Sequence, residues 1–322
     1  MRAKILVYAI PALILTTIHL AQAQQPKKVP RIGYLTSSGR SSFEAFSTAL
    51  HQLGYVEGKS VIFEFRTTEN TAQLQPELAA ELVQLKVDAI VAVGAGAIRA
   101  AKNATSTIPI VMSEVNDPIV LGFVASLAHP GGNITGMSNL SPELSGKRLE
   151  LLKEVVPRAS RIAVLAYRGE AMRSSIKETE VAAQSLRWQV QLLEVKAPDE
   201  IESALDAANK QRADALVQIQ AAFFNSHQQR IIELAAKKRL PAMFNNRTDV
   251  EAGGLMSYGY DAPERNQRVA SVVDKILKGA KPSDLPVEQP MKFEFVINLK
   301  TAKQIGLIIP PNVLARADRV IK

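Results

Sequence analysis

Residues 89–112, AIVAVGAGAIRAAKNATSTIPIVM, contain the repeating unit that decides the fold. Two apolar runs, Ala89–Val93 and Ile108–Met112, enclose a helical pattern that follows Gly94. Apolar runs without polar alternation are typical of strands buried on both faces, as in a parallel sheet. The segment therefore predicts a strand, a helix and a second strand parallel to the first.

The same alternation of strand and helix continues on both sides of this unit, from Val29 to about residue 275. It pauses between Asn133 and Ser145, where Gly, Ser, Asn and Pro are frequent, and resumes at Arg161. We therefore predict an α/β fold with two doubly wound, Rossmann-like lobes. The other predicted strands are Ile32–Leu35, Val61–Phe65, Ile162–Ala166, Val190–Val195, Ala215–Ile219 and Ala242–Phe244.

Amphipathic helices are predicted between these strands. Apolar residues recur at helical spacing from Phe43 to Leu53, and Ser41 with Glu44 forms a capping-box pattern at the start of that helix. Near the C-terminus, the spacing predicts a helix over residues 263–278 and an extended run over residues 293–297. The alternation of strand and helix therefore ends in a less regular segment.

The N-terminus has the pattern of a secretory signal peptide. Arg2 and Lys4 precede the apolar run Ile5–Leu20, and Ala21-Gln-Ala23 follows as a cleavage site. The run is shorter than the roughly 20 apolar residues of a membrane-spanning helix. The chain contains no cysteine, so a lipid anchor on that residue, disulfides and thiolate ligands are excluded. We predict cleavage after Ala23 and a free protein in the periplasm.

Charge and motifs argue against several function classes. The net charge is +8, but Lys and Arg are interspersed with Asp and Glu, which is typical of a solvated surface rather than of a nucleic-acid interface. No G-x-S-x-G motif is present, and His51, His129 and His227 lack metal-ligand spacing. The loop at residues 94–99, GAGAIR, has Arg99 where a dinucleotide fingerprint has its third glycine. We predict no catalysis, metal or cofactor.

A binding site is expected at the carboxyl ends of the parallel strands, where helix N-termini present unbonded N–H groups. Residues 36–42, TSSGRSS, follow the first strand. After Thr36 they contain four serines, around the predicted start of a helix. Such hydroxyls suit a carboxylate ligand. They are equally typical of ordinary helix capping, so both interpretations stay open.

Four longer motifs in order resemble one known family. They are PGGNITG at 130–136, EAGGLMSYG at 251–259, KPSDLPV at 281–287 and VINLKTAK at 296–303. These closely resemble the ABC transporter substrate-binding family related to the tryptophan-binding protein TrpX. The likeness extends from the cleavage region to residues 315–318 and so covers essentially the whole chain.

The resemblance implies a type I periplasmic binding protein fold, in which a hinge joins two lobes and the ligand lies in the cleft. The first lobe would comprise residues 30–138 plus 261–289, and the second residues 139–260 plus 290–322. The implied function is the solute-binding component of an ABC importer, a monomer that delivers a small polar ligand to a membrane permease. An amino acid or a related carboxylate would be the ligand. A sensor module that presents its ligand to a membrane receptor is the alternative.

The resemblance also implies which residues face the cleft. Glu114, Asp117 and Asp261 could hold an ammonium group, and Arg168 or Arg247 a carboxylate. The full set of predicted ligand-binding residues is Thr36, Ser37, Ser38, Gly94, Gly96, Glu114, Asn116, Asp117, Tyr167, Arg168, Gln220, Phe223, Phe224, Asn245, Asn246, Tyr258 and Asp261.

Two positions depart from the family's pattern. Relatives often carry Asn-Pro-Asn where this chain has Tyr167-Arg-Gly169, and an aspartate where it has Ala222. Both positions belong to the predicted cleft face of the second lobe. The identity of the ligand therefore cannot be taken over from the family.

Overall fold

The computed structural model describes residues 28–37, 39–68, 74–139 and 141–322. These residues form two parallel-sheet α/β lobes, as the sequence predicts. The predicted signal peptide, its cleavage site and Ser38 lie outside the described residues. Within the part that is described, no helix is both long and apolar enough to cross a membrane.

The first lobe is built on a five-stranded, entirely parallel sheet with the order β2-β1-β3-β4-β5. Its strands are β1 (Arg31–Thr36), β2 (Ile62–Thr67), β3 (Ala89–Val93), β4 (Ile110–Val115) and β5 (Ile134–Ser138). Its helices are α1 (Arg40–Gln52), α2 (Gln75–Gln84), α3 (Ala95–Ala104) and, as described below, α10 (Ala262–Leu277).

Strand β3 shows why strands of this sheet appear in the sequence as continuous apolar runs. Val91 and Val93 point to one face, where they pack with α1 and α10. Ile90 and Ala92 point to the other face, which α2 and α3 cover. Because successive side chains alternate between faces, a strand with both faces covered must be apolar at every position.

The second lobe is built on a seven-stranded sheet with the order β12-β11-β10-β9-β8-β6-β7. Its strands are β6 (Arg161–Tyr167), β7 (Gln189–Val195), β8 (Ala215–Gln218), β9 (Ala242–Phe244), β10 (Met256–Tyr260), β11 (Phe293–Asn298) and β12 (Arg319–Ile321). Its helices are α4 (Ser141–Val155), α5 (Arg173–Ser185), α6 (Glu200–Lys210), α7 (Ala222–Asn225), α8 (Gln228–Lys237), α9 (Arg247–Glu251), α11 (Leu299–Ile305) and α12 (Pro311–Leu314).

The chain passes between the two sheets more than once. It leaves the first sheet after β5, returns from β10 to α10 at Asp261, and leaves again after Glu288, which forms a bridge to Met137 of β5. Apolar residues of α10, among them Val269 and Val273, complete the core of the first lobe. Each lobe is therefore assembled from segments that are far apart in sequence.

The structure confirms the strands predicted from apolar runs and corrects three details. The Gly- and Asn-rich stretch after Asn133 is not a simple break, because it contains β5. The pairing of β10 with β11 is antiparallel, so the second sheet is not wholly parallel. Helix α1 begins at Arg40 after Gly39, so the predicted capping box of Ser41 and Glu44 is wrong.

Candidate ligand-binding cleft

A cavity of about 530 Å³ lies between the lobes at the carboxyl ends of the strands. Residues of both lobes form its wall. From the first lobe these are Ser37, Thr68, Gln75, Gly94, Ala95, Gly96, Arg99, Glu114, Val115, Asn116 and Leu121. From the second lobe they are Tyr167, Gly169, Glu170, Ala171, Met172, Lys196, Ala197, Ala221, Ala222 and Phe223.

A larger cavity of about 750 Å³ lies elsewhere on the first lobe and is lined by residues that include Lys28, Tyr55 and Lys281. It borders the amino ends of the strands, near Asp88 and Pro109. Ligands of open α/β sheets bind at the opposite, carboxyl edge. The cleft between the lobes is therefore the candidate site, although its volume is smaller.

The N-terminus of α3 forms one wall of the cleft. Gly94, Ala95 and Gly96 line the cavity, and no side chain in the described part of the chain caps the helix. Gly94 has φ +85° and ψ 154°, a conformation that glycine adopts readily and other residues do not. The first N–H groups of a helix have no partner within the helix and carry partial positive charge. This wall is suited to a carboxylate.

Two buried polar groups that line the cavity lack a hydrogen-bond partner among the described residues. The Thr68 hydroxyl and the Asn116 Oδ1 atom are buried and unpaired, in residues that are only 6% and 3% exposed. A buried polar group without a partner is costly, so such groups mark positions where a ligand can bind. Thr68 was missed by the sequence analysis, although it directly follows β2, where the carboxyl-end rule could have found it.

Aromatic side chains form the facing wall on the second lobe. The rings of Tyr167 and Phe223 are in contact, with their centroids 4.9 Å apart. Phe223 also contacts His227, with centroids 5.0 Å apart. Met172 lines the cavity beside this pair, and Leu121 lines it from the first lobe. The cleft thus combines a polar wall with an apolar wall that suits an aromatic or aliphatic group.

Glu114 lies at the cleft but is held by protein groups. Its Oε1 atom is 2.7 Å from Nη1 of Arg265, and its Oε2 atom accepts a hydrogen bond of 2.9 Å from Nδ2 of Asn225. Burial alone would lower the pKa of Arg265, but the Glu114 carboxylate, Tyr260 and Tyr34 together outweigh burial and raise it. The two side chains therefore form a charged pair with little exposure to solvent.

Other hydrogen bonds also connect the two lobes around the cavity. The backbone N–H of Gly39 donates to Oγ of Ser226 at 3.0 Å. In addition, Nδ2 of Asn116 donates to Oγ of Ser175 at 3.3 Å. The lobes are thus in contact at more than one point around the cavity, in a closed arrangement.

Several predicted residues lie in the cavity wall. The structure brings together Ser37, Gly94, Gly96, Glu114, Asn116, Tyr167 and Phe223. They come from loops that are far apart in sequence, at the carboxyl ends of β1, β3, β4, β6 and β8.

Other predicted residues do not line this cavity. Phe224 packs in the core of the second lobe, and Tyr258 accepts a hydrogen bond at its backbone oxygen from Arg148. Asp261 caps α10 by accepting from the Glu264 N–H. The remaining residues of this group are Thr36, Asp117, Arg168, Gln220, Asn245 and Asn246.

Arg168 is placed differently from the prediction. Its side chain is exposed, and its Nη2 atom donates to the backbone oxygen of Glu194 at 3.1 Å. Because Tyr167 is directed to the cleft, the next residue along the strand end points away from it. Arg247 is likewise occupied outside the cleft, with its guanidinium 3.5 Å from Glu294.

Two buried ionisable side chains, Asp249 and Arg148, influence each other in the second lobe. Asp249 accepts hydrogen bonds from the N–H groups of Asn245 and Asn246, at 3.3 and 3.0 Å. Burial raises the pKa of Asp249 to about 7, in spite of these bonds and of the nearby Arg148. Burial also lowers the pKa of Arg148 to about 10. Both groups are thus poorly solvated.

Among the described residues, no group of three or more His, Asp or Glu side chains is arranged to hold a metal ion. The cleft offers hydrogen-bond donors, one neutralised carboxylate and an aromatic wall, between lobes that meet around it. This arrangement defines a two-lobed solute-binding protein of the type I periplasmic binding protein fold.

Sequence comparison identifies the family. Residues 37–321 match the ABC transporter substrate binding protein family, and the chain belongs to it. Members of this family are substrate-binding proteins, so the prediction of a binding protein that is not an enzyme is confirmed.

Among curated proteins, a tyrosine-binding protein of Clostridioides difficile is 27% identical over 267 residues, which span 82% of this chain and 76% of that protein. A conserved domain protein of Vibrio cholerae has a solved structure with a TM-score of 0.84 and 28% identity. That match covers 91% of this chain and 100% of the other. An ABC domain of Streptococcus pneumonia solved with L-Trp has a TM-score of 0.83 and 26% identity, covering 91% and 99%.

Proposed function

We propose that this protein is the solute-binding component of an ABC importer and captures a small carboxylate with an aromatic or aliphatic body. An amino acid or a related carboxylate fits this description. In the proposal, the chain is exported, cleaved after Ala23 and acts as a periplasmic monomer that delivers its ligand to a membrane permease. The lobes would be residues 30–138 plus 261–289 and residues 139–260 plus 290–322.

The observation that carries the proposal is the pair of unlike walls in the closed cleft. The uncapped N-terminus of α3 and the unpaired Thr68 hydroxyl can donate to a carboxylate. The unpaired Asn116 Oδ1 can accept from an amino group or a hydroxyl. Tyr167 and Phe223 can contact the ligand's body from the other lobe.

The relatives support the same ligand class. One is named as a tyrosine-binding protein, and another was solved with L-Trp. Both ligands carry a carboxylate, an amino group and an aromatic side chain. The cleft of this chain has groups for each of these parts.

The test begins with the natural ligand. Mass spectrometry of small molecules released from the denatured, exported protein should detect a carboxylate. Titration calorimetry should then compare L-tryptophan, L-tyrosine, L-leucine and 3-phenylpropanoate, which lacks the amino group. A protein that releases and binds only ligands without a carboxylate would refute the proposal.

A matched pair of variants tests the polar wall. Thr68→Val removes the unpaired hydroxyl and should weaken carboxylate binding by about 1.5–3 kcal/mol, because a hydrogen bond to a charged group is lost. Thr48→Val makes the same change on the exposed side of α1 and should leave the affinity unchanged. Equal affinities for both variants would remove Thr68 from the site.

A further inference from the structure

The carboxylate of Glu114 lies at the point where the two lobes meet. Glu114 and Arg265 both belong to the first lobe, and their ion pair is 2.7 Å long. Asn225 belongs to the second lobe and donates to the other carboxylate oxygen at 2.9 Å. A single buried side chain thus binds one group within its own lobe and another across the cleft.

The first lobe holds this carboxylate in place. Glu114 has φ +52°, the left-handed region that non-glycine residues rarely adopt. Its partner Arg265 is fixed in turn, because its Nη1 atom donates to the Tyr260 hydroxyl at 2.6 Å. The side chain of Glu114 is only 5% exposed. Its position is therefore set by contacts within the chain, to Arg265 and through it to Tyr260.

Helix α7 of the second lobe, which contains Asn225, has two roles. Phe223 in this helix lines the cavity. Asn225 and Ser226, which follow it, do not line the cavity but bind Glu114 and the Gly39 N–H of the first lobe. Contacts of this kind change the closing of the lobes without touching a ligand.

We propose that Glu114 and Asn225 form a latch that stabilises the closed arrangement before a ligand binds. Glu114 is then a positioning residue and not the partner of a ligand's ammonium group. This inference rests on the proposed function only in taking the cleft as the ligand site. A ligand that binds the closed state has an apparent Kd that rises as the closed fraction falls. The latch therefore sets affinity and release rate.

The closed fraction can be measured directly because the chain contains no cysteine. Val120→Cys and Asp199→Cys place a donor and an acceptor dye on exposed sites of opposite lobes, beside the cavity residues Leu121 and Ala197. Single-molecule energy transfer without ligand should show open and closed populations in the otherwise unchanged protein. A wholly open population would overturn the proposal.

Two substitutions of Asn225 should weaken the latch to different extents. Asn225→Ala removes the donor and should lower the closed-to-open ratio by about three- to tenfold, as expected for one hydrogen bond of ordinary net strength made by a solvent-exposed side chain. Asn225→Asp keeps the shape but opposes Glu114 with a like charge, so it should lower the ratio further. Asn209→Ala, on the exposed end of α6, is the matched control and should change nothing.

The predicted order of closed-to-open ratios is unchanged protein, then Asn225→Ala, then Asn225→Asp. A purely structural role of Asn225 would not produce this order. An unchanged population in Asn225→Ala, or an Asp variant that closes as well as the original, would overturn the latch. L-tryptophan and L-tyrosine serve as probes that enter the open cleft and are then held by closure of the lobes. Asn225→Ala should therefore raise their dissociation rate constants and leave their association rate constants nearly unchanged. If neither probe binds the unchanged protein, the ligand proposal fails, while the measurement without ligand still decides the latch.

Discussion

Gly94 offers a test that separates closing of the lobes from folding. A Cβ atom built on Gly94 would lie 3.0 Å from Cβ of Ala222, which belongs to the opposite lobe. Ordinary contacts between carbon atoms are about 3.5–4.0 Å long. Gly94→Ala should therefore push the lobes apart in the closed state, and this cost is absent when the lobes are open.

The same substitution has a second cost that is independent of closure. At φ +85° and ψ 154°, a residue with a Cβ atom is strained by about 1–3 kcal/mol in the open and closed states alike. The collision with Ala222 should add about 1–3 kcal/mol in the closed state alone. Urea denaturation measures the first cost, provided that the ligand-free protein is compared with its variant.

The double variant Gly94→Ala with Ala222→Gly separates the backbone strain at residue 94 from the collision with Ala222. Removing the Ala222 methyl group should restore the closed fraction, measured by the energy-transfer pair described above, but not the free energy of unfolding. Small-angle scattering should show the same order, with the single variant the most expanded. A double variant that stays as open as Gly94→Ala would refute the reasoning, because the collision could not be its cause.

Two further predictions follow from groups outside the cavity. Arg168→Ala should change ligand affinity by less than about 0.5 kcal/mol, because the guanidinium is exposed and bonds to the Glu194 backbone oxygen outside the cavity; a calorimetric loss of about 2 kcal/mol or more would contradict this placement. Burial raises the pKa of Asp249 from 3.8 to about 7, so its stabilising contribution is complete at low pH and is lost as pH rises through that range. The loss is at most on the order of 4 kcal/mol, and Asp249→Asn should flatten it in urea denaturation series at several pH values.

The sequence predicted the strands and helices that are marked by a pattern in their own residues. Runs such as Ala89–Val93 are apolar because both faces of the strand are buried, and this requirement is visible in composition alone. Strand β5 was not predicted, because Gly136 and its polar neighbours resemble a turn. A side chain there would collide with the Met112 backbone, so glycine allows β5 to approach β4 closely. That requirement comes from tertiary structure, and composition does not display it.

The candidate site was predictable at the level of loops but not of side chains. The carboxyl-end rule selects the loop that contains Tyr167 and Arg168, yet only Tyr167 lines the cavity. One step along a strand reverses the direction of a side chain, so an error of a single residue exchanges a cleft residue for a surface residue. The role of Glu114 depends on Arg265, which is about 150 residues away in sequence. No local pattern could have indicated that pair.

The order of segments along the chain also affects how the protein is made. Helix α10 covers one face of the first sheet but follows β5 by about 120 residues. At a synthesis rate of about 5–20 residues per second, α10 is synthesised roughly 6–25 seconds after β5, and until then it cannot pack on that face of the sheet. During this time its apolar side chains are accessible to chaperones. A nascent chain that cannot finish its first lobe early stays unfolded for longer, which suits the export proposed for this protein.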